Sequence, residues 1–306
     1  MELIIDAQRL CKEFSGFKAV SDLSFQVFRG DVYGFLGQNG AGKSTTIRML
    51  LTLIRPTSGS IHMFGKDVSL HRNHVLRQTG AVIERPDLYR YLTAAENLSC
   101  FARLNGLRLS RIQILDKLRQ VGLAERADSP VKTFSQGMKQ RLGIAVALVH
   151  DPDLVILDEP TNGLDPQGIA DMRQLILSLS RDLGKTVLVS SHLLSEIEQI
   201  ATRMIILDKG RKMVEGTVAE LLDPANTLLE CQTTDPEGTW NWLEQTEWAS
   251  HRIESRQGLI RLRLPRTHIP LFSRAVADAG FDLTTLQSRN SLEDYFLTLT
   301  GAQENG

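Results

Sequence analysis

One run, Gly37-Gln38-Asn39-Gly40-Ala41-Gly42-Lys43-Ser44-Thr45, constrains the fold of this chain more than any other. It fits G-x-x-x-x-G-K-[ST] and lies between an apolar run, Val32-Tyr33-Gly34-Phe35-Leu36, and an apolar-periodic stretch from Ser44 to Ile54. That order predicts a buried strand, a tight loop and a helix. The glycines at 37, 40 and 42 let the backbone curl so that successive N–H groups face anionic oxygens. The helix adds unpaired N-terminal donors and the positive end of its dipole. Bound phosphates are the expected occupant, with Lys43 reaching the β- and γ-phosphates and the Ser44 hydroxyl taking a place on Mg²⁺.

Alternation over 3–10 and 20–28 predicts half-buried antiparallel strands. Phe14 and Phe17 lie between them, either as core aromatics or, for Phe14, as a ring to stack on a purine. Arg55–Ser60 predicts a turn and Ile61–Gly65 a short strand. Gly80-Ala81-Val82-Ile83-Glu84 predicts another strand, ending in a carboxylate. From Thr93 to about Leu148 the pattern is helical, with breaks at Gly106, Gly122 and Ser129-Pro130. Buried strands follow at Leu154–Leu157 and Thr186–Ser190, separated by a helix from about Gln167 to Leu183. Strands alternating with helices predict a parallel sheet with helices on its faces and a ligand at the strands' carboxyl ends. The glycine-rich loop, Glu84, Asp158-Glu159 and His192 all fall at such ends. His71 and His74 stand i, i+3, but no carboxylate or cysteine shares their register, so a solvated helix face is expected there.

Composition narrows the classes. Lys and Arg total 35 against 36 Asp and Glu, which gives no support to a nucleic-acid or membrane-surface coat. Cys11, Cys100 and Cys231 are scattered and odd in number, suiting a reducing cytosol rather than a disulfide framework or metal knuckle. The opening MELIIDAQRL alternates like a strand, unlike a signal peptide, and no run approaches the roughly 20 apolar residues of a membrane span. The chain is expected not to cross a bilayer by itself.

Asp158, directly after an apolar strand, matches the Mg²⁺-side aspartate of phosphate-loop NTPases. Strand alternation would point Glu159 to the other side, free to polarise an attacking water. Phe134-Ser135-Gln136-Gly137-Met138-Lys139-Gln140-Arg141 opens a helix with Ser135 as its N-cap, a start that can hold an anion.

Together, over about residues 3–220, these motifs resemble the ATP-binding cassette (ABC) ATPases in order and spacing. The resemblance implies an α/β phosphate-loop NTPase (RecA-like) core with an antiparallel β subdomain and a helical subdomain at about 85–149, the whole domain spanning 1–218. It implies ATP and Mg²⁺ as cofactors. Phe14 becomes the adenine-stacking ring, and Gly37, Gln38, Asn39, Gly40, Ala41, Gly42, Lys43, Ser44 and Thr45 the Walker A loop. Ser135 and Gly137 belong to the signature, and Asp165 is the D-loop aspartate. Ser44, Glu84 and Asp158 would face the metal, while Glu159, His192 and Lys43 would be catalytic. Two departures stand out. The Q-loop position, usually Gln, is Glu84, and the signature, usually Leu-Ser-Gly-Gly-Gln, is Phe134-Ser135-Gln136-Gly137-Met138. Ala81-Val82-Ile83-Glu84-Arg85-Pro86-Asp87-Leu88-Tyr89 and Ser190-Ser191-His192-Leu193-Leu194-Ser195-Glu196-Ile197-Glu198 look like the branch that drives antibiotic and antimicrobial-peptide export.

The implied function is the ATP-hydrolysing subunit of a transporter, powering export by a separate membrane permease that itself contacts the transported substrate. No nucleic-acid partner is implied. One phosphate loop, one signature and no internal repeat imply a second cassette, as a homodimer. The expected location is cytoplasmic, peripheral at the inner face of the membrane through the permease. The docking segment would include Arg85, Leu88, Tyr89, Arg90, Tyr91 and Leu92, which otherwise pack inside the helical subdomain. A soluble ABC-type ATPase acting on DNA or ribosomes is the alternative, but such chains usually carry a long coiled coil or two cassettes. A nucleotide-binding structural switch is a third reading, opposed by the presence of Glu159 and His192.

Beyond 218 the cassette motifs stop. Residues 219–306 predict a small α+β accessory domain: a strand over Asn226–Thr233, a helix capped by Asp235, a hairpin around Arg256-Gln257-Gly258, a helix over Thr267–Ala279, a strand over Phe281–Gln287 and a last helix over Ser291–Leu299. The order β-α-β-β-α-β is that of a ferredoxin-like unit, with Trp240, Trp242 and Trp248 in its core.

Overall fold

The computed structural model describes residues 2–221, 227–256 and 258–289. The chain divides into two units, Met1–Gly216 and Thr217–Gly306. The first opens on a hairpin of β1 (Leu3–Phe14) and β2 (Phe17–Phe28). This hairpin runs past the expected strand ends until Phe14 pairs with Phe17. It can do so because Ser15 and Gly16 both take positive φ, 44° and 88°, the turn whose twist matches the flanking strands. β3 (Val32–Leu36) then leads into the glycine-rich loop and α1 (Lys43–Leu50), which ends a turn earlier than the sequence pattern suggests.

β4 (Ser58–Met63) and β5 (Lys66–Asp67) follow, then α2 (Arg72–Arg77) and β6 (Thr79–Val82). β4 starts ahead of the expected Ile61 because Ser58 and Ser60 pair with Cys11 and Gln8 of β1. α3 (Ala94–Leu104) and α4 (Arg111–Gln120) each begin with a capping box, Thr93 with Glu96 and Ser110 with Gln113. α5 (Gln136–Ala147), β7 (Leu154–Asp158), α6 (Pro166–Arg181), β8 (Thr186–Ser191), α7 (Leu194–Ile200), β9 (Arg203–Asp208) and β10 (Arg211–Thr217) complete the run.

Two sheets result. One is antiparallel, in the order β2-β1-β4-β5. The other has the order β10-β9-β3-β8-β7-β6, with β9, β3, β8, β7 and β6 all parallel. β3, β7 and β8 are buried along their whole length, which is why they read as continuous apolar runs. Parallel pairing places the carboxyl ends of β3, β6, β7 and β8 on one edge, where the polar residues of the loops collect.

The core joins both sheets through Phe25, Tyr33 and Phe35, whose rings lie 4.9–6.1 Å apart. Burial, and then the Glu215 charge, pushes the Tyr33 hydroxyl well above its ordinary range, so it stays a donor to Glu215 Oε1 at 2.7 Å. Helix packing is equally close. A Cβ on Gly143 of α5 would sit 2.5 Å from Pro86 Cβ, and one on Gly80 of β6 would sit 2.2 Å from the Ala147 carbonyl oxygen. Gly80→Ala is therefore expected to destabilise the protein by about 1–3 kcal/mol, since backbone rather than a flexible side chain must move. Urea unfolding checks this, and an unchanged midpoint would contradict it.

The second unit holds α8 (Val218–Leu221), β11 (Thr227–Thr233), α9 (Pro236–Glu244), β12 (Arg252–Arg256), β13 (Leu259–Leu264), α10 (Ile269–Asp278) and β14 (Leu283–Arg289). Its sheet runs β12-β13-β11-β14 and every pair is antiparallel. From β11 onward this is the ferredoxin-like order. Trp248 is buried among Leu229, Cys231, Leu243 and Phe272, and Trp240 and Trp242 pack half-buried against that cluster. The expected start of the first strand at Asn226, Gln257 of the hairpin turn and the last helix, Ser291–Leu299, lie outside the described residues.

Candidate functional site

The glycine-rich loop is held tightly from below. A Cβ on Gly37 would meet the Leu207 carbonyl oxygen at 2.5 Å. Gly42 takes φ 99°, with the Ala19 carbonyl oxygen 2.7 Å from where its Cβ would be. Both positions require glycine: one for a close approach, one for a left-handed turn. Ala41 N–H donates to Gln38 O at 3.1 Å, closing the loop below the exposed Gln38, Asn39 and Gly40. α1 has neither a side-chain cap nor an acidic residue in its first turn. Its N-terminal donors are thus left to an anion.

Lys43 folds back over this loop. Its side chain is 5 % exposed, and Nζ donates to Gly37 O at 2.6 Å and Gln38 O at 3.3 Å. The same ammonium lies 3.2 Å from Glu159 Oε1, while the other Glu159 oxygen lies 2.7 Å from His192 Nδ1. A carboxylate accepts only, so Nδ1 is the donor there. Glu159 is thereby held between a cation from β3's loop and an imidazole from β8's. Strand alternation does not set its direction, because β7 ends at Asp158 and Glu159 takes φ 52°. A non-glycine residue in the left-handed region costs roughly 1 kcal/mol or more and persists only where its surroundings hold it.

Asp158 is 1 % exposed. Its Oδ1 accepts from Ser190 Oγ at 2.6 Å and Ser44 Oγ at 3.3 Å, and Ser190 Oγ in turn accepts from Glu159 N–H at 2.9 Å. Oδ2 is buried with no hydrogen-bond partner among the described residues. A buried anionic oxygen without a donor, beside a hydroxyl, fits a hard cation. No group of three or more His, Cys, Asp or Glu suited to a metal occurs among the described residues, His71 and His74 included.

The remaining residues singled out in the sequence form separate groups. Phe14 is exposed at the hairpin end, with Lys12 Nζ 4.8 Å from the ring centroid, so it is not a core aromatic. Thr45 lies half-buried on α1. Glu84 lies beyond β6 at φ 57°, and its Oε1 meets Arg48 Nη2 of α1 at 2.5 Å. Ser135 caps α5 by accepting from Met138 N–H, and Gly137 sits beside Leu164. Asp165 caps α6 through Gly168 N–H. Neither Ser135 nor Asp165 makes a hydrogen bond to the glycine-rich loop among the described residues. Two residues were not picked out from the sequence. Ser190 binds both Asp158 and Glu159, and Glu196 binds Thr161 at 2.6 Å. A serine at a strand end and a glutamate on a short helix carry no pattern of their own.

The parallel sheet, the loop and the carboxylates at the β7 end define a phosphate-loop nucleoside triphosphatase. Residues 20–162 match the ABC transporter family model. The chain is 43 % identical, over 98 % of both chains, to the bacitracin transport ATP-binding protein BcrA of Bacillus licheniformis. It is 35 % identical to the daunorubicin/doxorubicin resistance ATP-binding protein DrrA of Streptomyces peucetius, over 97 % of this chain and 92 % of that one. Among solved structures, cbiO1 of Clostridium perfringens, part of the ABC transporter complex cbiONQ, aligns with TM-score 0.66 and 28 % identity over 72 % of this chain and 91 % of its own. The chain belongs to the ABC transporter family, as an ATP-binding and ATP-hydrolysing subunit. Such subunits work with a membrane permease, and no described helix here is long and apolar enough to cross a membrane.

Proposed function

We propose that this subunit powers export of a drug, antibiotic or peptide through a separately encoded permease, with the unit up to Gly216 as the ATPase and the second unit as an accessory domain. The single observation that carries the catalytic part is Glu159, bridged between Lys43 at 3.2 Å and His192 at 2.7 Å. The export direction is supported by likeness to the bacitracin and daunorubicin/doxorubicin proteins along nearly the whole chain.

The loop N–H groups and Lys43 bind the β- and γ-phosphates, and Phe14 stacks on the adenine. Lys43 exchanges the Glu159 carboxylate for phosphate, which frees Glu159 to take a proton from the attacking water. His192 keeps the carboxylate aimed, and Ser190 holds the backbone on which it stands. Ser44 and Asp158 would hold Mg²⁺, and Glu84 would join them on leaving Arg48; the ion would neutralise charge on the phosphates. Ser135, Gly137 and Asp165 serve the ATP of a second, identical cassette, since this chain carries one loop and one signature. Light scattering with Mg-ATP tests the pairing, and a persistent monomer would leave only a heteromeric partner.

Glu84 replaces a family glutamine, and its partner Arg48 is 42 % exposed against 64 % for Glu84 itself. Such a pair is worth at most about 1 kcal/mol. Glu84→Gln is expected to keep hydrolysis within a few-fold of wild type while making it less sensitive to added salt. Complete loss of ATPase would give the carboxylate an indispensable role.

The docking surface for the permease is the segment after Glu84. Tyr91 is 86 % exposed and Tyr89 about half, with Arg85 and Arg90 exposed beside them. This location makes the subunit cytoplasmic and peripheral to the membrane. Tyr89→Asp is expected to move the protein from the membrane fraction to the supernatant of cells that contain the permease. Retention on membranes lacking every candidate permease would remove this surface from consideration.

A further inference from the structure

Glu196 is a carboxylate only 7 % exposed, on a short helix whose Leu194, Ile197 and Ile200 are core residues. Its Oε2 accepts from Thr161 Oγ1 at 2.6 Å and, more weakly, from Ser191 Oγ at 3.4 Å. Ser191 Oγ also accepts from Leu193 N–H at 2.9 Å, which fixes the turn around His192. The positions of these partners matter. Thr161 lies two residues past Glu159, and Ser191 immediately precedes His192. One carboxylate therefore ties the loop leaving β7 to the last residue of β8, within two residues along the chain of the side chains that meet at 2.7 Å.

Glu196 is an expensive way to fill that space. Its Oε1 is buried with no hydrogen-bond partner among the described residues, a cost that an apolar side chain would avoid. We infer that Glu196 is a positioning residue for hydrolysis: it clamps these two segments so that His192 and Glu159 stay in register. The inference rests on Glu159 and His192 having the roles proposed above. Glu196 itself touches neither side chain and acts through the backbone on which they stand. Small displacements of a base matter, since about 1 Å can cost on the order of 100-fold in rate.

The experiment compares steady-state ATPase and ATP affinity for Glu196→Ala, Glu196→Gln and Thr161→Val, with Glu196→Ala repeated in a His192→Ala background. The expected result for Glu196→Ala is a kcat lower by roughly 10- to 100-fold, with ATP affinity unchanged because the glycine-rich loop is untouched. Glu196→Gln keeps an acceptor for Thr161 and is expected to restore most of the rate. In the His192→Ala background the second change is expected to add little, because both act on one contact. Should Glu196→Ala fail to fold, Thr161→Val removes the same hydrogen bond without shortening the side chain and reads the same loss. A normal kcat in Thr161→Val or in folded Glu196→Ala overturns the inference, even with a lowered melting temperature. Full additivity with His192→Ala overturns it too. Retained turnover in Glu159→Gln would instead remove the reading beneath it, which keeps the two failures apart.

Discussion

Glu159→Gln is expected to lower ATP turnover by at least about 100-fold, the usual contribution of a positioned general base, while nucleotide binding survives. The amide keeps the shape of the side chain and still accepts from His192 Nδ1, which lies 2.7 Å from the carboxylate. It loses the ability to take a proton. It also loses the charge that pairs with Lys43 at 3.2 Å, so the ammonium has one competitor fewer when phosphate arrives. ATP affinity in this variant is therefore expected to equal or exceed that of the parent, and the ATP-bound dimer should accumulate. Hydrolysis within a few-fold of wild type would show that the proton goes elsewhere.

Lys43→Ala attacks binding instead. The ammonium makes charge-assisted contacts, and losing one such contact is worth about 1.5–3 kcal/mol. At 1.4 kcal/mol per tenfold, ATP affinity is expected to fall roughly 10- to 100-fold. The change also removes the donor that spans Gly37 O and Gln38 O, so the loop itself loosens. A fluorescent-nucleotide titration measures the affinity directly, and an unaltered curve would mean that the loop does not hold phosphates through Lys43.

Much of the parallel sheet was legible because its strands are buried on both faces and end in polar residues. β3, β7 and β8 could hardly be anything else, and their carboxyl ends named the edge to look at. What the sequence hid depends on single dihedral angles and on residues without a signature. Nothing in Phe14-Ser15-Gly16-Phe17 announces that Ser15 accepts a positive φ, so the hairpin looked shorter than it is. Alternation gave the wrong reason for where Glu159 points, because a left-handed turn rather than a strand directs it. Ser190 looked like part of a strand, and Glu196 stood only as one residue in the run after His192. Only three-dimensional proximity gives them partners.

The close approach of Gly143 to Pro86 has a mechanical consequence. With no clearance for even a methyl group between them, a tilt of α5 cannot be absorbed by slack and must displace the chain just beyond Glu84. Steric abutment of this kind works like two meshed teeth: it has no range, needs no charge and is indifferent to ionic strength. Motion passed along this route should therefore persist in high salt, where the neighbouring Arg48–Glu84 attraction is screened away.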